Sequence, residues 1–599
     1  MSEHKETHPA DNKLTPAIAL ARFKLHLNDI IVQEQLYPWL DTTEEDFNTE
    51  MALDLIQSNN IHLQPFIESV TWDRIEEELA PYPALGTAGG KRLVVAPCSP
   101  LFTPILEKLA GAYPHSVFLD KTGAGLTIGG QNIHQPEDVS PETGDVCLML
   151  TRNTEACESY EKKFGPDNCI NWLRAFKERN RHETSVGTSS FLREVNAATK
   201  PVIFASARPM ATLNSTIRKM NDDGYTTWWL GNEEIKEAHQ TGYATPKIDD
   251  VAVKGYSIGS LIDFITIFST MEHGFVFWHY ESIYLPAWDF KRIAICYAAT
   301  LAMIRTVKEC RVSSSKAKLG LYMYDAIKPA VQHYEAGKAC GSLYLKMMAE
   351  AEAIIFSSFT RDFGDFVENA VGKPLPRVHH HRYQVMPNQR RTRLDDGYHI
   401  AVLTGVMGEH WQPAMHGLVP YIYKLIVNHG IHIHYYMAEV ARGKSYQFRD
   451  ALPEHARHLF HLHDPIHNLE DLANELSRYH AGWSLFHMQA FHDMVANLTD
   501  QFTRDAMDMF TPTTLPSVIW SCAAAGLPII CNRSLSAVVA MLPPEMTIPL
   551  TLSELDQLPQ ILETMDWQAV NETSLACLDM SNHIYKLYDF LDRFECGPR

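Results

Sequence analysis

The sequence predicts a multidomain α/β protein built from doubly wound, mostly parallel sheets, and three observations predict it. The chain has 599 residues, too many for one hydrophobic core at roughly 100–200 residues per domain. Hydrophobic residues make up 45% and charged residues 21%, a balance that excludes disordered and fibrous classes. Short apolar or β-branched runs alternate with segments of helical period, which is the pattern of βαβ units lying side by side in a parallel sheet.

Residues 1–85 read as a helical lead-in, because Leu20, Phe23, Leu27, Ile30 and Ile31 recur at helical spacing. Pro81, Pro83, Gly86, Gly89 and Gly90 break that pattern just before the run Leu93-Val94-Val95, so a Rossmann-like accessory domain is expected over 86–197. Asp120 closes its second strand, but the first turn reads Pro97-Cys98-Ser99-Pro100 and lacks G-x-G-x-x-G. That absence favours a docking or regulatory scaffold over a nucleotide site.

A second α/β domain is expected over 198–395. It opens with the strand at Pro201–Ala205, continues through Phe275–Trp278, Leu319–Tyr324 and Ile354–Phe356, and ends in a segment punctuated by Pro374, Pro376 and Pro387. That segment, with the run His379–His381 and the basic Arg390, Arg391 and Arg393, reads as a solvated interdomain linker. Three consecutive histidines on an extended chain cannot all converge on one ion, so no metal is assigned to them. A third domain over 396–599 starts at His399–Leu403 and finishes in helices over Leu552–Phe594. Facing parallel sheets leave a cleft at the carboxyl ends of their strands, where ligands of such folds bind.

The net charge of -20 removes the electrostatic drive for nucleic-acid binding. Eleven cysteines with no C-x-x-C pair predict reduced thiols and a cytoplasmic protein. No run of 18 apolar residues predicts a membrane span, and no H-E-x-x-H or P-loop is present.

The most informative run is Thr513 to Ile530, T-T-L-P-S-V-I-W-S-C-A-A-A-G-L-P-I-I. Physically it is a loop delivering a helix start, then a small-residue helix able to lie close on a sheet, then a strand after Gly526-Leu527-Pro528. It resembles the donor-binding segment of GT-B glycosyltransferases, usually written E-G-x-P-x-x-x-x-E-A-x-A-x-G-x-P-V-I. Over 198–599 further stretches look like the family's in the same order: Glu350–Thr360, the strand and glycine turn His399–Gly408, and Leu459–Leu472. Thr513 and Ser521 stand where many retaining relatives carry two acids, and the basic pair after the glycine turn is replaced, with Val406 and His416 nearest.

The resemblance implies two Rossmann-like domains in the GT-B arrangement behind the N-terminal helical and Rossmann-like module. It implies a metal-independent, hexosyltransferase-like enzyme without a cofactor, moving a sugar from a nucleotide-sugar donor to a polysaccharide, lipid-linked or protein acceptor. Donor contacts are expected from Gly405, Gly408, His410, His416, Thr513, Thr514, Leu515, Ser517, Ser521 and Arg533. For the acceptor's proton the candidates are His279 and Glu281, which follow a predicted strand, and Asp325. His279 is either that base or a histidine satisfied between Trp278 and Tyr280, and Asp325 is either catalytic or a helix cap. Two rivals remain: a catalytically silent binding or scaffold protein, which the replaced acids would explain, and a nucleotide-sugar epimerase. The N-terminal module is expected to serve acceptor recognition, regulation or homo-oligomer formation.

Overall fold

The computed structural model describes residues 15–58, 66, 69–82, 85, 90–99, 102–121, 123–151, 154–179, 188–205, 211–231, 254–257, 261–279, 293–323, 336–357, 360–381, 392–403, 418–436, 442–464, 466, 469–486, 501–577 and 579–595. The apolar runs form three sheets. The first holds β1 (Leu93–Ala96), β2 (Val117–Leu119), β3 (Thr127–Ile128), β4 (Gln131–His134), β5 (Val146–Met149) and β6 (Cys169–Asn171), in the order β3-β4-β2-β1-β5-β6. All its pairings are parallel except the β3–β4 hairpin.

The second sheet holds β7 (Pro201–Ala205), β8 (Thr226–Gly231), β9 (Lys254–Ser257), β10 (Phe275–His279), β11 (Lys318–Met323), β12 (Ala353–Phe356) and β13 (Arg377–His379), in the order β13-β12-β11-β10-β7-β8-β9. The third holds β14 (His399–Val402), β15 (His432–Tyr436), β16 (Phe460–His463), β17 (Ala481–Ser484), β18 (Ile529–Asn532) and β19 (Thr547–Leu550), in the order β16-β15-β14-β17-β18-β19. Counted within each sheet, the second and third both follow the 3-2-1-4-5-6 order of dinucleotide-binding folds, the second with one added edge strand. The chain reverses direction between β7 and β10 in one and between β14 and β17 in the other. Strands β7, β12, β14, β15, β17 and β18 are buried at every position, as strands covered on both faces must be.

The lead-in divides between two cores. Ala19, Phe23, Leu27, Ile30 and Ile31 of the helix Pro16–Glu34 are all 0–1% exposed and join the core of the second sheet, against the helix Ile293–Cys310. Burying each of the four larger side chains contributes about 1.5–3 kcal/mol. Phe66, Val70, Ile75 and Leu79 instead pack on the first sheet. The C-terminal helix Tyr585–Glu595 returns to the second sheet: Leu587, Phe590 and Leu591 share a core with Val202, Phe204 and Phe275. Tyr588 stacks on Tyr225 with centroids 4.8 Å apart and donates to Asp223 Oδ2 at 2.7 Å.

The expected linker needs correction at its histidines. Residues Arg377–His379 form the edge strand β13, paired parallel to β12, and His380 is 2% exposed. Pro374 and Pro376 lie ahead of this strand, where proline removes no ladder hydrogen bond. Among the described residues no helix is long and apolar enough to cross a membrane.

Candidate functional site

The helix Ser517–Ala524 precedes β18, so it runs against the strand direction and starts at the carboxyl edge of the third sheet. Pro516 holds its N-cap at φ -55°, ψ 141°, and Gly526, at φ +74°, ends the turn that follows. Ala523, Ala524 and Ala525 are 0–3% exposed, so the small side chains seat the helix on the sheet. The helix lies tight on Gly482 of β17, where an added Cβ would lie 2.3 Å from Cys522 Sγ.

At the helix start Thr513, Thr514 and Leu515 are 2%, 6% and 1% exposed. The preceding helix, Gln501–Thr513, runs on past its internal Pro512, and the Thr513 hydroxyl donates to the Met509 carbonyl at 2.6 Å. Leu515 belongs to the apolar core that links the second and third sheets. The expectation that these side chains would offer hydroxyls to a phosphate is therefore corrected for Thr513, and Leu515 contributes packing. What the segment offers an anion is its first-turn amides at Ser517 and Val518, which have no carbonyl one turn earlier to bond, and a helix dipole of about half a positive charge.

The carboxyl edges of the two sheets meet at this helix. Thr360, just past β12, donates its N–H to the Thr513 carbonyl at 3.0 Å. His381, two residues past β13, stacks on Trp520 with centroids 5.9 Å apart. Its Nδ1 lies 3.3 Å from the Ser357 carbonyl, which can only accept, so that nitrogen carries the proton. Tyr322 donates to Ser357 Oγ at 2.7 Å, and His380 Nε2 shares a proton with Thr216 Oγ1 at 3.1 Å. Burial pushes the His380 and His381 imidazoles down to about 3, aided by neighbouring imidazoles and the Lys586 cation. Both are neutral near pH 7 and brace the seam without adding charge to it.

The remaining expected residues distribute along the same edge. His279 ends β10, beside the switch between β10 and β7, with Tyr322 as its register partner on β11; its side chain lies outside the described residues. Glu281 and Asp325 lie outside them too, the latter just beyond the end of β11, as do Gly405, Gly408, His410 and His416, which follow β14. Ser521 is half-buried on the helix. Arg533 follows β18 and is exposed, with Nε donating to the Pro549 carbonyl at 3.2 Å and a terminal nitrogen 3.0 Å from Glu554. Its cation already faces a carboxylate.

Sequence reasoning missed the seam residues His380, His381, Ser357 and Tyr322. The serine ending the strand in E-A-E-A-I-I-F-S-S-F-T was visible, but nothing local tied it to a distant tyrosine. It also missed Asn532, whose side chain accepts from the Phe486 amide at 2.7 Å and donates to the Phe486 carbonyl at 2.9 Å, latching the exits of β17 and β18 together.

No family model matches the chain, and no curated protein does. Among solved structures it is similar to an α,α-trehalose-phosphate synthase (UDP-forming) from Burkholderia vietnamiensis, at 10% identity over 67% of this chain and 97% of that one, with a TM-score of 0.40. It is also similar to the sucrose-phosphate synthase of Thermosynechococcus elongatus, at 8% identity over 67% and 100%, TM-score 0.42. A third is a glycosyltransferase from Rickettsia africae, at 11% identity over 67% and 99%, TM-score 0.39.

Proposed function

We propose that this chain is a glycosyltransferase that moves a hexosyl group from a nucleotide-sugar donor to a polysaccharide, lipid-linked or protein acceptor. The observation that carries the reading is the Thr360–Thr513 contact, which turns the carboxyl edges of two sheets of the same strand order toward each other at one helix start. Ligands of open α/β sheets bind at that edge.

In this reading the donor diphosphate lies against the amides of Ser517 and Val518, and the acceptor approaches from the β10–β11 side. The bond from the sugar's anomeric carbon to the diphosphate breaks, and its electrons leave with the phosphate. The amides and helix dipole stabilise the growing charge without a metal. The acceptor oxygen bonds to the anomeric carbon, and its proton passes to a base at or after the end of β10 or β11 in the chain, with His279 the first candidate and Glu281 and Asp325 the others. His410 and His416 are the remaining candidates to supplement the amides on the donor side, since Arg533 is held by Glu554.

One observation favours a second reading, a catalytically silent binding protein: threonine and serine replace the two acids, and the Thr513 hydroxyl is committed to Met509. Incubation with UDP-, GDP- and CMP-sugars, with and without oligosaccharide acceptors, separates the readings by following nucleotide release. Transfer or slow hydrolysis of one donor supports the enzyme. Binding without turnover supports the silent protein, and interconversion of the donor sugar without acceptor supports an epimerase.

A further inference from the structure

The opposite, amino edge of the third sheet carries a cluster with no part in the reading above. His399 begins β14 and His432 begins β15, and the register pairs them directly, with rings stacked 4.2 Å apart. His434 follows on the same face of β15, and His461 and His463 of β16 continue the row. Among the described residues one group of potential ligands comes together closely enough to share an ion: Asp396, His399 and His432, with their ligand atoms all within 4.8 Å of one another.

We propose that Asp396, His399 and His432 bind one divalent transition-metal ion of the zinc type, clamping the turn that enters the third sheet onto the starts of β14 and β15. Two imidazoles and a carboxylate are a zinc-type donor set, and water completes the tetrahedron. Zinc distances of about 2.0–2.2 Å place neighbouring ligand atoms roughly 3.3 Å apart. Small side-chain rotations of the three ligands close that difference, and the exposed Asp396 leaves the ion an entry path.

The orientation of both rings is independent support. His399 Nδ1 is bonded to His434 Nε2 at 2.8 Å, and His432 Nδ1 to His461 Nε2 at 3.0 Å. Each ligand histidine thus has its far nitrogen held by an outer imidazole, the arrangement that fixes tautomer and aim in metal centres. Both Nε2 atoms face the Asp396-Gly397 turn: that of His399 lies 2.8 Å from Asp396 Oδ1, and the His432 ring donates to the Asp396 backbone, a bond the ion would replace. A Cβ at Gly397, whose φ is +135°, would stand 3.4 Å from that of His432.

The row extends through His434 Nδ1 to His463 Nε2 at 2.9 Å, and this gives the proposal a signature. Without metal, the Asp396 carboxylate can only accept, so His399 carries its proton on Nε2 and accepts on Nδ1, and His434 and His463 follow in the same tautomer. An ion on His399 Nε2 moves that ring's proton to Nδ1, and the next two rings shift likewise. Three protons are held before and three after, so none is released along this row.

The test uses the full chain stripped with a chelator and titrated with Zn²⁺ against a chromophoric competitor, with Co²⁺ absorption reporting geometry. The expected result is one tight equivalent, weakened at least tenfold in Asp396→Asn and in His432→Gln, and by about 10–100-fold in His461→Leu, which removes only an outer-shell partner. Asp396 is exposed, so its variant should melt with the metal-free wild type. Nitrogen-15 spectra should show the His399 and His434 protons moving from Nε2 to Nδ1 on addition of Zn²⁺. Equal affinity in wild type and in the Asp396→Asn/His432→Gln double variant would overturn the site, as would no equivalent tighter than scattered surface histidines.

Discussion

Replacing Gly482 by alanine should destabilise the third sheet and loosen the helix Ser517–Ala524 from it. The magnitude comes from two competing effects. Alanine is normally better than glycine in an element interior by roughly 0.5–1 kcal/mol, because less chain entropy is lost on folding. Against this, the new Cβ would sit 2.3 Å from Cys522 Sγ and 2.8 Å from Cys522 Cβ. A rotamer change could move the sulfur, but the Cβ is fixed to the helix, so the helix must shift. Overpacking of this kind costs about 1–3 kcal/mol, which exceeds the entropic gain. At about 2–4 °C per kcal/mol for a unit of this size, melting should fall by several degrees. The assay is a double-mutant cycle with Cys522→Gly in urea. Glycine in the helix itself costs about 1 kcal/mol, but the cycle subtracts that and isolates the clash. The double variant should be less destabilised than the sum of the singles by about 1–3 kcal/mol, while Cys522→Ala, which keeps its Cβ, should rescue only partly. A neutral or stabilising Gly482→Ala, or strict additivity, would refute the packing.

Acid should weaken the seam. His380 and His381 are held down to about 3 in the folded protein and bind a proton more readily when unfolded. The unfolded state therefore takes up more protons below about pH 6.5, and stability falls as pH drops from there toward about 3, by up to about 1.4 kcal/mol per pH unit for each histidine. His381→Phe, which keeps a ring on Trp520, should flatten the urea midpoint between about pH 6 and 4.5, and an unchanged slope would count against a buried neutral imidazole. Leu591→Ala, in the C-terminal helix that returns to the second sheet, should cost about 2–5 kcal/mol, because Leu591 is 1% exposed. A shift below about 0.5 kcal/mol, the size of an ordinary surface change, would mean that the helix does not pack there.

The strand runs Leu93–Ala96, Pro201–Ala205 and Ile354–Phe356 were legible because strands buried on both faces are continuously apolar. The alternation with helices between them implied the parallel order, and the small-residue run at Ala523–Ala525 implied a helix lying close on its sheet. β13 was not legible: prolines and arginines surround three histidines, and distant partners make that stretch a core seam, with Thr216 on His380 and Trp520 of the helix Ser517–Ala524 on His381. The destination of the helix Pro16–Glu34 was equally hidden, since helical spacing tells which side is apolar but not which sheet it meets. At the candidate site the helix start was readable and the inward turn of Thr513 was not, because a proline at 512 suggests an end to the helix that in fact continues through it. The row of histidines on β14, β15 and β16 carries a period-two signal in H-I-H and F-H-L-H, but its meaning depends on the strand register.

The measurement that bears most directly on the central claim is calorimetric titration of nucleotide sugars into the wild type and Ser517→Trp, a change at the first residue of the helix. One nucleotide sugar should bind the wild type, and Ser517→Trp should lose that binding while its melting temperature holds. Binding of equal strength in both proteins would contradict it.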